Sequence, residues 1–107
     1  PLRRILSEPL IAREPGSGTR AILDRELLRQ EVHWKPLLEL ESTEAIKAFV
    51  EAGMGVAVLS RLAVARELER GTLVRLRVPL RLERQLSLVR LRSRKASRAC
   101  EALLKHL

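Results

Sequence analysis

Polar and apolar residues recur along this chain with two periods, and the switches between them mark out its elements. From Glu41 to Ser60 (ESTEAIKAFVEAGMGVAVLS) the apolar positions Ala45, Ile46, Phe49 and Val50 form the i, i+3, i+4 stripe of a helix laid on a core. Ser42 or Thr43 can cap that helix, because a hydroxyl there accepts from a first-turn N–H that has no helical partner. Glu44 adds negative charge where the helix dipole favours it. Gly53 supplies the stop and Gly55 a second permissive position. The continuous apolar run Val56 to Leu59 is expected of a strand covered on both faces, and it is too short to span a membrane.

The flanking segments repeat the alternation. Pro1 to Glu8 is a lead-in in which Leu2, Ile5 and Leu6 can pair or pack. A short strand, Leu10 to Ala12, follows, and the chain then turns at Pro15 to Gly18. The spacing predicts a helix from about Thr19 with Ile22, Leu23, Leu27, Leu28 and Val32 facing inward, broken by Trp34 and Pro36. Leu37 to Glu41 reads as a strand leading into the central helix, and Arg61 to Arg70 as a helix ended by Gly71. Further strands are expected at Leu73 to Val78 and Gln85 to Leu91. A closing helix carries the stripe Ala96, Cys100, Leu103, Leu104 and Leu107, with Ser97 near its start. Strands alternating with helices predict an α/β fold with a mainly parallel sheet and crossover helices.

A chain of 107 residues makes one domain with a modest core, and an aromatic content of 2% makes that core aliphatic. One cysteine cannot form an intrachain disulfide. The chain shows no cleavable apolar leader and no span of about 20 apolar residues, so the cytoplasm is the expected compartment. The net charge of +8 invites a nucleic-acid reading. Against it, the arginines are spread along the chain and are not interleaved with aromatics, Trp34 and Phe49 being the only two. A solvated surface with an arginine-rich codon bias is the favoured account of them.

Three places could carry chemistry. In the loop Gly16, Ser17, Gly18, Thr19, Arg20, glycines between a strand and a helix let the backbone approach a ligand. The free N–H groups of the first turn, two hydroxyls and an arginine all favour an anion there. The loop matches neither a Walker sequence nor a dinucleotide fingerprint, and a tight turn with a helix cap explains the same residues. Ser42 and Thr43 form a second hydroxyl-bearing helix start, again explicable as capping. Gly53 and Gly55 form the third place, readable as a ligand contact or simply as a helix exit. His33 and His106 lack partners at metal-ligand spacing, Cys100 reads as a core residue, and no catalytic order or cofactor motif stands out, so neither an enzyme nor a cofactor is expected.

REPGSGTR at Arg13 to Arg20, ESTEAIKAFVEAGMGVAVLS, ELERGTLVRL at Glu67 to Leu76 and QLSLVRL with its closing helix together resemble the effector-binding domain of LysR-type transcriptional regulators. The resemblance implies one lobe of a type II periplasmic-binding-protein-like fold. Residues 1–84 would be the second lobe with a hinge strand, and residues 85–107 the returning strand and C-terminal helix of the first lobe. It also implies a small-molecule effector held between lobes in a cleft that Gly16 to Arg20, Ser42 and Thr43 line; the two hydroxyl-bearing helix starts favour an anion there, and Gly53 and Gly55 are a further candidate contact. A homo-oligomer would reach DNA only through a helix-turn-helix domain that this chain lacks. An anion-binding lobe of a solute-binding protein for transport shares the architecture and is the alternative.

Overall fold

Leu10, Ile11 and Ala12 are all buried, which a strand achieves only when both faces of its sheet are covered. They belong to β1 (Leu10–Arg13), the middle strand of a three-stranded parallel sheet in a computed structural model that describes residues 2–84, 86, 87, 89, 92 and 97–106. The elements in chain order are α1 (Leu2–Leu6), β1, α2 (Gly18–Arg29), β2 (Leu38–Leu40), α3 (Thr43–Glu51), β3 (Val56–Ala57), α4 (Ala65–Arg70) and α5 (Arg98–Lys105). The strand order is β2-β1-β3. Ile11 lies opposite Leu38 on one side and Ala57 on the other.

The chain steps outward from β1 through α2 to β2, then back across β1 through α3 to β3. Right-handed crossovers put the two helices on opposite faces of the sheet, and both pack on β1. Ile11 between them, Leu27 of α2 and Ile46 of α3 are the largest fully buried side chains. Burying each stabilises the lobe by roughly 1.5–3 kcal/mol. Gly55 is held by close approach, since a Cβ there would collide with the Pro9 carbonyl, which itself accepts from the Val56 N–H at 2.9 Å.

Lys47 adds a polar joint. Its buried ammonium donates to Glu67 at 2.8 Å and to the Ala63 carbonyl at 2.7 Å, and it lies 2.9 Å from Glu44, tying α4 to α3. These carboxylates hold the Lys47 ammonium above the usual lysine range, and Lys47 holds Glu67 below the usual carboxylate range.

Several expected elements differ. Leu2–Leu6 is a helix and not a hinge strand, with Ile5 and Leu6 half-buried. Residues 61–64 form turns, so α4 is shorter than the apolar pattern implied. Leu73 to Val78 is not a strand: it has no ladder partner among the described residues, and Val74 is 80% exposed. The expected strand at Gln85 to Leu91 falls partly outside the described residues, and Leu86, Ser87 and Val89 within it carry no strand pairing. Leu28, expected inward, is 75% exposed because it sits about 140° round the helix from Leu23. Glu26 takes the buried position instead.

Candidate functional site

In a parallel sheet the loops that follow the strands share one edge, and that edge is where open α/β sheets hold ligands. Here it carries the β1–α2 loop, with Gly16, Ser17 and Gly18, and the β2–α3 turn at Glu41 and Ser42. Gly16 has φ 100°, a left-handed conformation that bends the chain back toward α2. Ser17 Oγ then accepts from the Arg20 N–H at 3.3 Å, and Ser42 Oγ from the Ala45 N–H at 3.1 Å. Each hydroxyl satisfies one orphan donor of its helix.

Arg13, the last residue of β1, reaches the start of α3. Its guanidinium donates to Thr43 Oγ1 at 3.0 Å and pairs with Glu14 at 3.0 Å. The bond to Glu14 holds the Arg13 guanidinium above the ordinary arginine range, and the same bond holds the Glu14 carboxyl below the usual carboxylate range.

Arg20, read from the sequence as an anion ligand, is engaged as a brace. Its Nε donates to both oxygens of Asp24 at 3.1 Å, and its Nη1 donates to the Arg13 carbonyl at 3.0 Å and to Glu39 at 3.2 Å. The guanidinium also lies 4.7 Å from the centroid of the Trp34 ring. Burial works against its charge, yet the bonds to Asp24 and Glu39 hold it above the ordinary arginine range. Two carboxylates thus already neutralise the cation nearest the loop.

The structure brings Gly16 to Arg20 together with Ser42 and Thr43 and separates them from the third candidate place. Gly53 and Gly55 precede β3, so they lie at the opposite edge of the sheet, beside Pro9. Gly53, with φ 79°, ends α3: its N–H donates to the Val50 carbonyl, and the Met54 N–H donates to the Phe49 carbonyl. Ser60 and Arg61, which sequence reasoning passed over, follow β3 on the site edge. With Thr19 they are polar members of an open, mainly apolar groove of about 1060 Å³. The available signal was positional: they are the first polar residues after the third strand of a parallel sheet.

No group of three or more metal-ligating side chains is present among the described residues, nor is any helix there long and apolar enough to cross a membrane. The family model for the LysR substrate binding domain matches residues 1–107. An HTH-type transcriptional regulator of Escherichia coli K12, YeiE, is 39% identical over 104 residues, which are 96% of this chain and 36% of that protein. The HTH-type transcriptional regulator CbbR of Cereibacter sphaeroides is 44% identical over 91 residues, 83% of this chain and 29% of that protein. The transcriptional activator CmpR of Synechocystis is 39% identical over 66 residues, 62% of this chain and 22% of its own length. The chain spans about a third of the length of the first of these relatives.

Proposed function

Because this chain belongs to the LysR substrate binding domain family, whose periplasmic-binding-protein-like fold it carries, we propose that it senses a small anionic metabolite for a transcriptional regulator. The observation that supports this best is the Arg13–Thr43 bond. It ties the end of β1 to the start of α3, on the edge of the sheet where both serine-capped helix starts lie. Backbone N–H groups of Gly18 and Thr19 and the hydroxyls of Thr19 and Thr43 would meet the anion. Gly16, Ser17 and Ser42 shape the two starts, and Arg20 braces them through Trp34 and Glu39. Gly53 and Gly55 serve the fold and are left out of this site.

In the whole regulator the ligand sits between two lobes and shifts their arrangement by its difference in affinity between the states. A homo-oligomer passes that shift to helix-turn-helix domains outside this chain. The role is sensing and not catalysis. Affinity in this chain alone is low, since losing about 4 kcal/mol of contacts from the other lobe raises Kd roughly a thousandfold.

The test is titration with sulfate, phosphate and small carboxylates while amide shifts are followed. Shifts centred on residues 16–20 and 42–44 and weakened by Thr19→Ala and Thr43→Ala are expected. Shifts confined to scattered arginines would overturn the site.

A further inference from the structure

Arginines occur in both the N-terminal and the C-terminal parts of the chain, with none between Arg29 and Arg61, but the net charge is not shared between those parts. Residues 1–69 hold 10 Lys and Arg against 11 Asp and Glu, a net of −1, whereas residues 70–107 hold 11 against 2, a net of +9. The whole formal charge of +8 therefore resides in the C-terminal third. A compositional preference for arginine would raise its frequency throughout the chain, and it would not strip out the acidic residues in one part.

Pairing follows the same division. The four cations in salt bridges, Arg13, Arg20, Arg29 and Lys47, all precede residue 70. From Arg70 onward no cation forms a salt bridge among the described residues, and Arg75, Arg77, Arg81 and Arg84 are exposed. The segment that bears them is not loose. The Gln30 side chain donates to the Pro79 carbonyl at 2.7 Å, and the Arg81 N–H donates to Glu26 at 3.0 Å, which fixes the segment on α2. Beside that anchor Arg81 shares a small recess with Arg25 and Arg29 of α2, which Glu26 and Glu83 also line.

We propose that the anchored arginine segment around Arg75, Arg77, Arg81 and Arg84 is a sequence-independent contact surface for the phosphate backbone of duplex DNA. Unpaired guanidiniums at short intervals along an extended chain suit a linear polyanion, because each can replace condensed counterions on a different phosphate. The surface has almost no aromatic residues to stack on bases, so it reads charge and not sequence. The contact would add affinity wherever a DNA-binding partner domain has already brought this chain to the duplex; Arg75, Arg77 and Arg84 also line the groove that holds Thr19, Ser60 and Arg61, so a duplex there would border the effector site.

The experiment measures binding of this chain to a random-sequence duplex over a range of salt concentrations. Arg75→Gln, Arg77→Gln, Arg81→Gln and Arg84→Gln are combined in one variant. Arg3→Gln, Arg4→Gln, Lys35→Gln and Arg66→Gln, exposed positions with the same total charge, form the control. The slope of log K against log salt should lose about 3 to 4 units in the first variant, near 0.9 per phosphate released, and little in the control. Matching thermal unfolding of both variants shows that neither has lost its fold, and the salt slope of the unmodified chain stands as a second readout. Equal losses in the two variants would reduce the effect to net charge and overturn the surface. Absence of binding at low salt would overturn it as well, and so would tighter binding of polyglutamate than of duplex, which would point to an acidic protein partner.

Discussion

Glu31 is the one non-glycine residue with positive φ among the described residues, at 56°. It stands where α2 ends: its N–H donates to the Leu28 carbonyl at 3.0 Å, and the Val32 N–H donates to the Leu27 carbonyl at 2.8 Å. This is the exit that Gly53 and Gly71 make for α3 and α4, with glycine replaced by a residue whose Cβ crowds the following carbonyl. The two glycine stops were legible because glycine is the usual residue there. The Glu31 stop was not, and the sequence pointed instead to Trp34 and Pro36. The early reversal is accompanied by a distant contact, the ring of Trp34 lying 4.7 Å from the Arg20 guanidinium. Glu31→Gly should therefore stabilise the lobe by about 0.5–1 kcal/mol, the left-handed cost outweighing the added freedom of the unfolded chain. Urea unfolding followed by Trp34 fluorescence measures it, and a midpoint at or below that of the parent would refute the account.

At the scale of elements, α2 and the segment after Leu73 are held together by one buried carboxylate. Glu26 accepts from Arg29 Nε at 2.9 Å, Arg29 Nη2 at 2.7 Å, the Gln30 amide at 2.9 Å and the Arg81 N–H at 3.0 Å. Arg29 above all, then the Arg81 N–H and Gln30, bring its carboxyl down to about 2 from the ordinary 4.5. A carboxyl whose pKa is lower in the folded state stabilises it above the unfolded value. That stability is lost as pH falls from about 4.5 toward about 2. The thermal midpoint of the parent should thus drop more steeply than that of Glu26→Gln over this acid window. Parallel profiles would show that the clasp contributes nothing. The helix was legible from its leucines, but the inward glutamate was not, because an i, i+3, i+4 pattern ranks a carboxylate as a surface residue.

For the whole molecule, the radius of gyration is 17.4 Å, against about 13 Å for a compact chain of this length. Among the described residues of the C-terminal third, α5 buries no residue and Leu103 is 55% exposed. Val74, Leu76, Leu86 and Val89 are exposed as well. Leu104 of α5 is exposed too, whereas Leu88, Leu91 and Leu107 lie outside the described residues. Apolar surface of this kind promotes self-association. Light scattering at high micromolar concentration should show a dimer or larger species, which Leu103→Ser with Leu104→Ser shifts toward monomer. A parent chain that stays monomeric there would exclude it.

Periodicity and glycine placement along the chain determined the α/β class and the two serine-capped helix starts, because a helix rests on contacts within one turn, and marked the three central strands as short apolar segments between turn and cap signals. The motifs also pointed to the family. Tertiary structure alone decided which edge of the sheet each loop occupies, and so parted Gly53 and Gly55 from Gly16 to Arg20 and turned Arg20 from a ligand into a brace. It likewise left Leu73 to Val78 unpaired, because a strand needs a neighbour to bond, and the alternation of its residues carries no information about whether one is present.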